Sequence, residues 1–178
     1  EGERTVNAIL DTVYRAKNEG KSKEEILLSL ANLPGVYVPR FYKPVYDDDG
    51  RFVAIAAAKG VPATIKRQWV RQLDNFSGNS AILSSETEFE NMYIIEVARG
   101  CGRHCRFCMA GYCFRRPRAR NLEKIIKAIK ERPARSKKVG LMGAAVSDFP
   151  QIKELTKFLI DKEIPFTASS LRAHSTDI

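Results

Sequence analysis

One stretch constrains this chain more than any other. Met92-Tyr93-Ile94-Ile95-Glu96-Val97-Ala98 runs into Arg99-Gly100, and Cys101, Cys105 and Cys108 follow at the spacing C-x3-C-x2-C. The apolar, β-branched run reads as a buried strand. Three thiolates on one short loop can converge on a single metal centre. Soft thiolates suit iron and its sulfides, whereas hard oxygen ligands do not. An iron–sulfur cluster takes up to four ligands, so three cysteines leave one iron open to a small molecule.

Zinc is the chief rival. Structural zinc sites use four ligands, commonly as two close pairs. Here there is no second pair: Cys113 lies five residues beyond Cys108, and His104 is the one nearby histidine. A disulfide framework fits poorly, because four cysteines in a chain of 178 residues without a leader pattern suit a reducing compartment. Cys113 reads as a free or half-buried thiol and not as a ligand.

Charge adds a second constraint. The net charge is +9, and residues 101–140 hold 13 Lys/Arg against Glu123 and Glu131, so +11; the remainder is about −2. Basicity therefore belongs to the cysteine loop and the helix after it. It fits attraction of an anion, such as a nucleic acid, a phosphorylated substrate, a carboxylate or an acidic partner. Tyr112 and Phe114 are the aromatic residues beside the arginines, which is thin for a base-stacking platform. No apolar run approaches the roughly 20 residues of a membrane span. The expected location is cytoplasmic. The chain reads as a piece of a longer protein.

Periodicity places the remaining elements. A helix is expected from about Thr5 to Asn18, with Val6, Ile9, Leu10, Val13 and Tyr14 at helical spacing. Ser22-Lys23-Glu24-Glu25 is a capping box for a second helix. Val36-Tyr37-Val38 reads as a short strand. Phe41–Tyr46 and Phe52–Ala57 read as a hairpin closed at Asp47-Asp48-Asp49-Gly50, a turn and not a calcium loop. Thr64–Val70 reads as a further strand, and a polar segment from Asp74 to Thr87 should lie across an end of the sheet. Beyond the cysteines, Asn121 caps a helix over Leu122–Glu131, Lys138–Met142 is a strand, and Asp148 caps a helix starting near Pro150. Ile164–Ala168 is a third strand, followed by Ser169-Ser170-Leu171-Arg172. Strand–helix–strand–helix–strand implies parallel pairing with helical crossovers, and sites at the C-terminal ends of the strands.

The stretch Tyr93–Arg172 resembles the radical S-adenosylmethionine (SAM) superfamily, through Cys101, Cys105 and Cys108, the strand before them, and Phe107 before the third cysteine. Upstream, Gly2-Glu3-Arg4-Thr5 and Leu33-Pro34-Gly35-Val36-Tyr37 give it a weaker likeness to the branch whose radical domain follows a cobalamin-binding-type domain. The resemblance implies an α/β fold: a partial parallel (β/α) barrel, about three of six strands, over residues 87–178. Residues 1–86 would be an N-terminal α+β extension or linker. It implies a 4Fe–4S cluster on Cys101, Cys105 and Cys108, and SAM cleaved reductively to a 5′-deoxyadenosyl radical. Phe107, Gly143, Ser170 and Arg172 would contact SAM, Phe107 through its backbone at the adenine (its alternative being core packing) and Arg172 at the carboxylate. Cobalamin would be a further cofactor of the full-length protein. Radical methyl transfer or methylthiolation would be its reaction, on an unknown substrate, with an electron donor such as flavodoxin or ferredoxin. The alternative is a zinc- or nucleic-acid-binding module without catalysis. Glu96 should face a basic partner or the barrel interior. His104 and His174 lack a second catalytic partner in sequence, so no catalytic residue is assigned.

A parallel sheet of three strands has open edges, which recruit other strands. Residues 1–178 by themselves are therefore expected to self-associate and to turn over little SAM. Sedimentation at several concentrations checks the first point; a monomer at high micromolar concentration would show the edge to be covered.

Overall fold

The computed structural model describes residues 1–172. It divides into two compact units, Glu1–Val70 and Arg71–Ile178.

In the first unit, α1 (Thr5–Asn18) stops where Gly20 takes a positive φ of 68°. Ala16 is its buried residue, while Val6, Leu10 and Tyr14 stay exposed. The capping box forms as expected: Ser22 Oγ accepts from Glu25 N–H and Glu25 returns the bond, opening α2 (Lys23–Ala31). β1 (Tyr42–Tyr46) and β2 (Phe52–Ala57) pair antiparallel. Asp47 Oδ1 accepts from the Asp49 and Arg51 amides, so the aspartate triplet is a turn.

Two expected strands are absent. Val36–Val38 forms none, since Pro34 and Pro39 remove donors on both sides and the Val36 amide turns back to Leu33 O. Residues 64–70 form none either. Their backbone is tied to Glu1: the Glu1 backbone nitrogen donates to Gln68 O at 3.0 Å, and Val70 N–H donates to Glu1 Oε2 at 2.7 Å.

The second unit holds the parallel sheet. β3 (Met92–Glu96), β6 (Lys138–Met142) and β7 (Phe166–Ala168) pair in the order β3-β6-β7, with Met92 opposite Lys138 and Val139 opposite Phe166. Between β3 and β6 come β4 (Ala98–Arg99), α3 (Ala110–Cys113), β5 (Arg118–Ala119) and α4 (Leu122–Lys130); α5 (Ile152–Asp161) joins β6 to β7. Asn121 caps α4 by accepting from Glu123 and Lys124. Side chains alternate across a strand, so Ile95, Val139 and Leu141 share one face. They pack on Ile125 and Ile129 of α4 and Leu155 and Leu159 of α5. The other face carries Gly140, where a Cβ would collide with the Met92 thioether.

The polar segment after Asp74 does not cross an end of the sheet. Residues 78–80 lie along the outer edge of β3: Glu96 N–H donates to Gly78 O at 2.6 Å, Ser80 N–H to Ile94 O at 2.9 Å, and Asn79 bridges Ile95 antiparallel. That edge had unpaired donors and acceptors, and the nearest polar backbone satisfies them. Residues 71–86, placed by sequence with the extension, thus group with the sheet. The third strand is shorter than expected at Phe166–Ala168, because Pro165 has no N–H to give the ladder. No helix among the described residues is long and apolar enough to cross a membrane.

Leu159 is fully buried and Ile160, its neighbour, is 65% exposed. Leu159→Ala should lower the unfolding free energy by about 2–5 kcal/mol, and Ile160→Ala by less than about 0.5, as read from urea midpoints.

Candidate metal centre

The cysteine loop is a closed excursion from the sheet. β4 and β5 pair antiparallel, Ala98 with Ala119 and Arg99 with Arg118, so residues 100–117 leave and return through one short ladder. The base is anchored in the sheet, where Val97 N–H donates to Met142 O and Arg120 N–H to Val97 O, both at 2.9 Å. Gly100 has φ +84°, and a Cβ there would collide with the Phe114 carbonyl, so the first turn of the loop requires glycine. A Cβ on Gly111 would collide still more severely with the Arg103 carbonyl, so α3 packs directly onto the stretch between the first two cysteines.

Within this frame Cys101 N–H donates to Phe114 O at 3.2 Å, and Cys101 Sγ accepts from Arg103 N–H at 3.4 Å. Cys108 N–H donates to Cys105 O at 3.1 Å, closing a tight turn. None of the four cysteines forms a disulfide; Cys101 and Cys108 are half-buried, Cys105 and Cys113 exposed. The fold puts Cys101, Cys105 and Cys108 on one loop at the C-terminal side of β3. It does not gather them: no three Cys, His, Asp or Glu among the described residues stand close enough to hold a metal ion. The donor set nevertheless fits an iron–sulfur cluster. Three unbridged thiols share one solvent-facing loop, residues 101–117 contain no carboxylate, and one sulfur already accepts an amide hydrogen bond. Ligand loops of this kind take their final geometry from the metal they bind.

The other predicted residues distribute as follows. Phe107 is 93% exposed, which removes core packing as its role. Gly143, just after β6, exchanges hydrogen bonds with the Ser169 hydroxyl, and its Cα faces the Ala98 carbonyl. Ser170 O accepts from Val146 N–H at 2.9 Å. Arg172 N–H donates to Ser147 Oγ at 3.1 Å, and its guanidinium binds Asp148 at 2.8 Å. His104 packs edge-on to Tyr112 and touches the Arg115 guanidinium, so it braces the loop. His174 lies outside the described residues.

Asp148 does not cap α5, which starts at Ile152 without a side-chain cap. Its carboxylate is taken by two arginines instead: Oδ2 accepts from Arg103 Nε at 3.1 Å, and Oδ1 from Arg172. The helix starts two residues later than expected, which leaves Asp148 short of the capping position, and here both partners are ionised, with two guanidiniums converging on one carboxylate. Ala98, Gly100, Cys101, Arg103, Ala145 and Asp148 line part of a cleft of about 320 Å³ beside the first cysteine. Sequence reading missed both Arg103 and Asp148 as a pair. They are 45 residues apart, and no periodicity links a loop arginine to an aspartate among small residues.

Glu96 finds the basic partners expected of it. Oε1 accepts from Arg99 Nε at 2.7 Å and Oε2 from Arg120 at 2.6 Å. Arg120 is buried, and its NH1 also donates to Leu73 O and Phe76 O.

Comparison with known proteins includes the cysteine loop in a family match. Residues 95–175 match the profile described as the Radical SAM superfamily. An uncharacterized protein of Methanocaldococcus jannaschii is 37% identical over 92 residues, which cover 51% of this chain and 21% of that protein. The chain thus spans about a fifth of that relative's length. No solved structure matches.

Burial pushes the Asp148 carboxyl up, but the hydrogen bonds and charges of Arg103 and Arg172 outweigh it and hold the pKa below the ordinary 3.8. A depressed carboxyl stabilises the fold above its unfolded pKa, and that contribution is lost as pH falls through the lower folded value. Asp148→Asn should therefore melt earlier than wild type at pH 7, with the gap in Tm closing as pH drops below about 4. The match that includes this loop supports radical SAM superfamily membership for the segment from residue 95 to residue 175.

Proposed function

We propose that the whole protein is a radical SAM enzyme in which Cys101, Cys105 and Cys108 hold a 4Fe–4S cluster. The observation that carries this is the three-cysteine loop, stapled shut by β4 and β5 at the C-terminal side of a parallel strand, within the residues that match the superfamily. When bound, the cluster supplies the electron for reductive cleavage of SAM.

The chain's own contribution is binding and orientation. The thiolates of the three cysteines hold the iron, and the amide of Arg103 on Cys101 Sγ offsets thiolate charge. Arg103 lies near Cys101 and Cys105. Its pKa is raised, first by the hydrogen bond to Asp148 and further by the charges of Asp148 and of these cysteines. Phe107, already turned to solvent, is free to meet the adenine. Gly143 and Ser170 lie on the loops after β6 and β7, past the C-terminal ends of two neighbouring parallel strands, where the contacts to SAM would be made. Arg172 gives one arm to Asp148, and a guanidinium has five donors, so its fork retains N–H groups for a carboxylate.

In this reading residues 87–178 supply the first half of a (β/α) barrel and residues 1–86 precede it, the last of them, 71–86, grouping with the sheet. Radical methyl transfer and methylthiolation, and a cobalamin-type domain elsewhere in the whole protein, are what the resemblance implies. Its required partner is an electron donor such as flavodoxin or ferredoxin.

Anaerobic reconstitution should load about four irons per chain with brown absorbance. Cys101→Ala, Cys105→Ala or Cys108→Ala should abolish it, and Cys113→Ala should leave it intact. Stoichiometric zinc in native protein, with no iron uptake, would turn the reading to a zinc module.

A further inference from the structure

The cysteine loop is pinned at its base by the β4–β5 ladder, but that ladder is only two residues long on each side. A ladder this short fixes where the loop leaves the sheet. It does not fix how the stretch between Cys101 and Cys105 lies relative to the loops after β6 and β7, which is what a site built from all three loops needs.

One side chain makes that connection. Asp148 stands in the turn after β6, with its side chain 28% exposed. Oδ2 reaches Arg103, between the first two cysteines, and Oδ1 reaches Arg172, past the end of β7. The turn is braced on the same side, because the Arg172 amide binds Ser147 Oγ and the Val146 amide binds Ser170 O. The Asp148 turn and the segment after β7 therefore form one hydrogen-bonded platform, and Arg103 is the arm by which the cysteine loop attaches to it. The cleft of about 320 Å³ lies at this junction, walled by Gly102 and Arg103 on one side and Ala145, Asp148 and Pro150 on the other.

We propose that Asp148 is the positioning residue of the cysteine loop. Through Arg103 it holds the Cys101–Cys105 stretch against the platform after β6 and β7, and so sets the separation between the metal-binding thiols and the opposite wall of the cleft. It also pairs the charge of Arg103, which sits between the first two cysteines. The proposal rests on the reading of Cys101, Cys105 and Cys108 as cluster ligands. Asp148 touches neither metal nor SAM in it and acts only through Arg103.

The test has one arm that needs no metal. Hydrogen exchange, followed by mass spectrometry of the metal-free chain, compares the cysteine loop with α4 and α5 as internal references. Asp148→Asn and Arg103→Gln should each make loop amides exchange about tenfold faster, the factor expected for loss of one charge-assisted hydrogen bond, with α4 and α5 accelerated by no more than the loss of global stability read from Tm. The double variant should add nothing further, and Asp148→Glu should recover most of the protection. The second arm uses reconstituted protein: Asp148→Asn should shift the g-values of the reduced cluster's electron paramagnetic resonance signal at unchanged iron content. Unchanged loop exchange in both single variants would overturn the proposal. So would acceleration spread equally over α4 and α5, which would make Asp148 a residue of the fold and not of the loop. If no form of the protein takes up iron, the cluster reading fails, while the exchange arm still decides the role of Asp148.

Discussion

A carboxylate at the end of a buried strand cannot be left unpaired, and Glu96 organises much of the second unit around that requirement. Taking a charge out of water costs several kcal/mol unless cations and hydrogen bonds replace the solvent. Arg99 meets Glu96 from the same strand run, and Arg120 from the far side of the cysteine loop. Arg120 is itself buried: its Nη1 donates to Leu73 O and Phe76 O, its Nε is buried without a hydrogen-bond partner among the described residues, and Gly78 has no side chain because the guanidinium fills that space. One acidic residue thus ties together the strand, the exit of the loop and the segment that covers the strand's edge.

The loop inherits its shape from this anchoring. Its two ends are clamped by Arg99 and Arg118 in the β4–β5 ladder, next to the residues that grip Glu96. Gly100 and Gly111 permit backbone approaches that any Cβ would block, so the excursion is narrow at both its first turn and its helical return. What lies between, the three thiols and Phe107, has few ties of its own. A rigid frame around a compliant set of soft ligands suits a centre whose final geometry the metal imposes.

Edge protection follows the same economy. The outer side of β3 is occupied by residues 78–80, a stretch too polar and irregular to read as a strand, yet able to donate and accept where β3 needs it. Backbone satisfaction, not hydrophobicity, recruits such a segment.

Local chemistry determined a good deal. The capping box at Ser22, the turn at Asp47, the Asn121 cap, the parallel crossovers and the C-x3-C-x2-C loop all depend on residues a few positions apart. Periodicity and side-chain type specify them without the rest of the chain. Tertiary structure decided what depends on distant partners. Residues 64–70 gave their backbone to Glu1 instead of to a strand, and residues 78–80 found β3. Asp148 left its expected cap for Arg103 and Arg172, because α5 starts two residues later than expected and two guanidiniums brought close by the sheet converge on its carboxylate. The cysteines show the division most plainly. Their spacing names the chemistry, but whether three thiols point at one centre depends on what the folded loop meets, and spacing alone carries no such information.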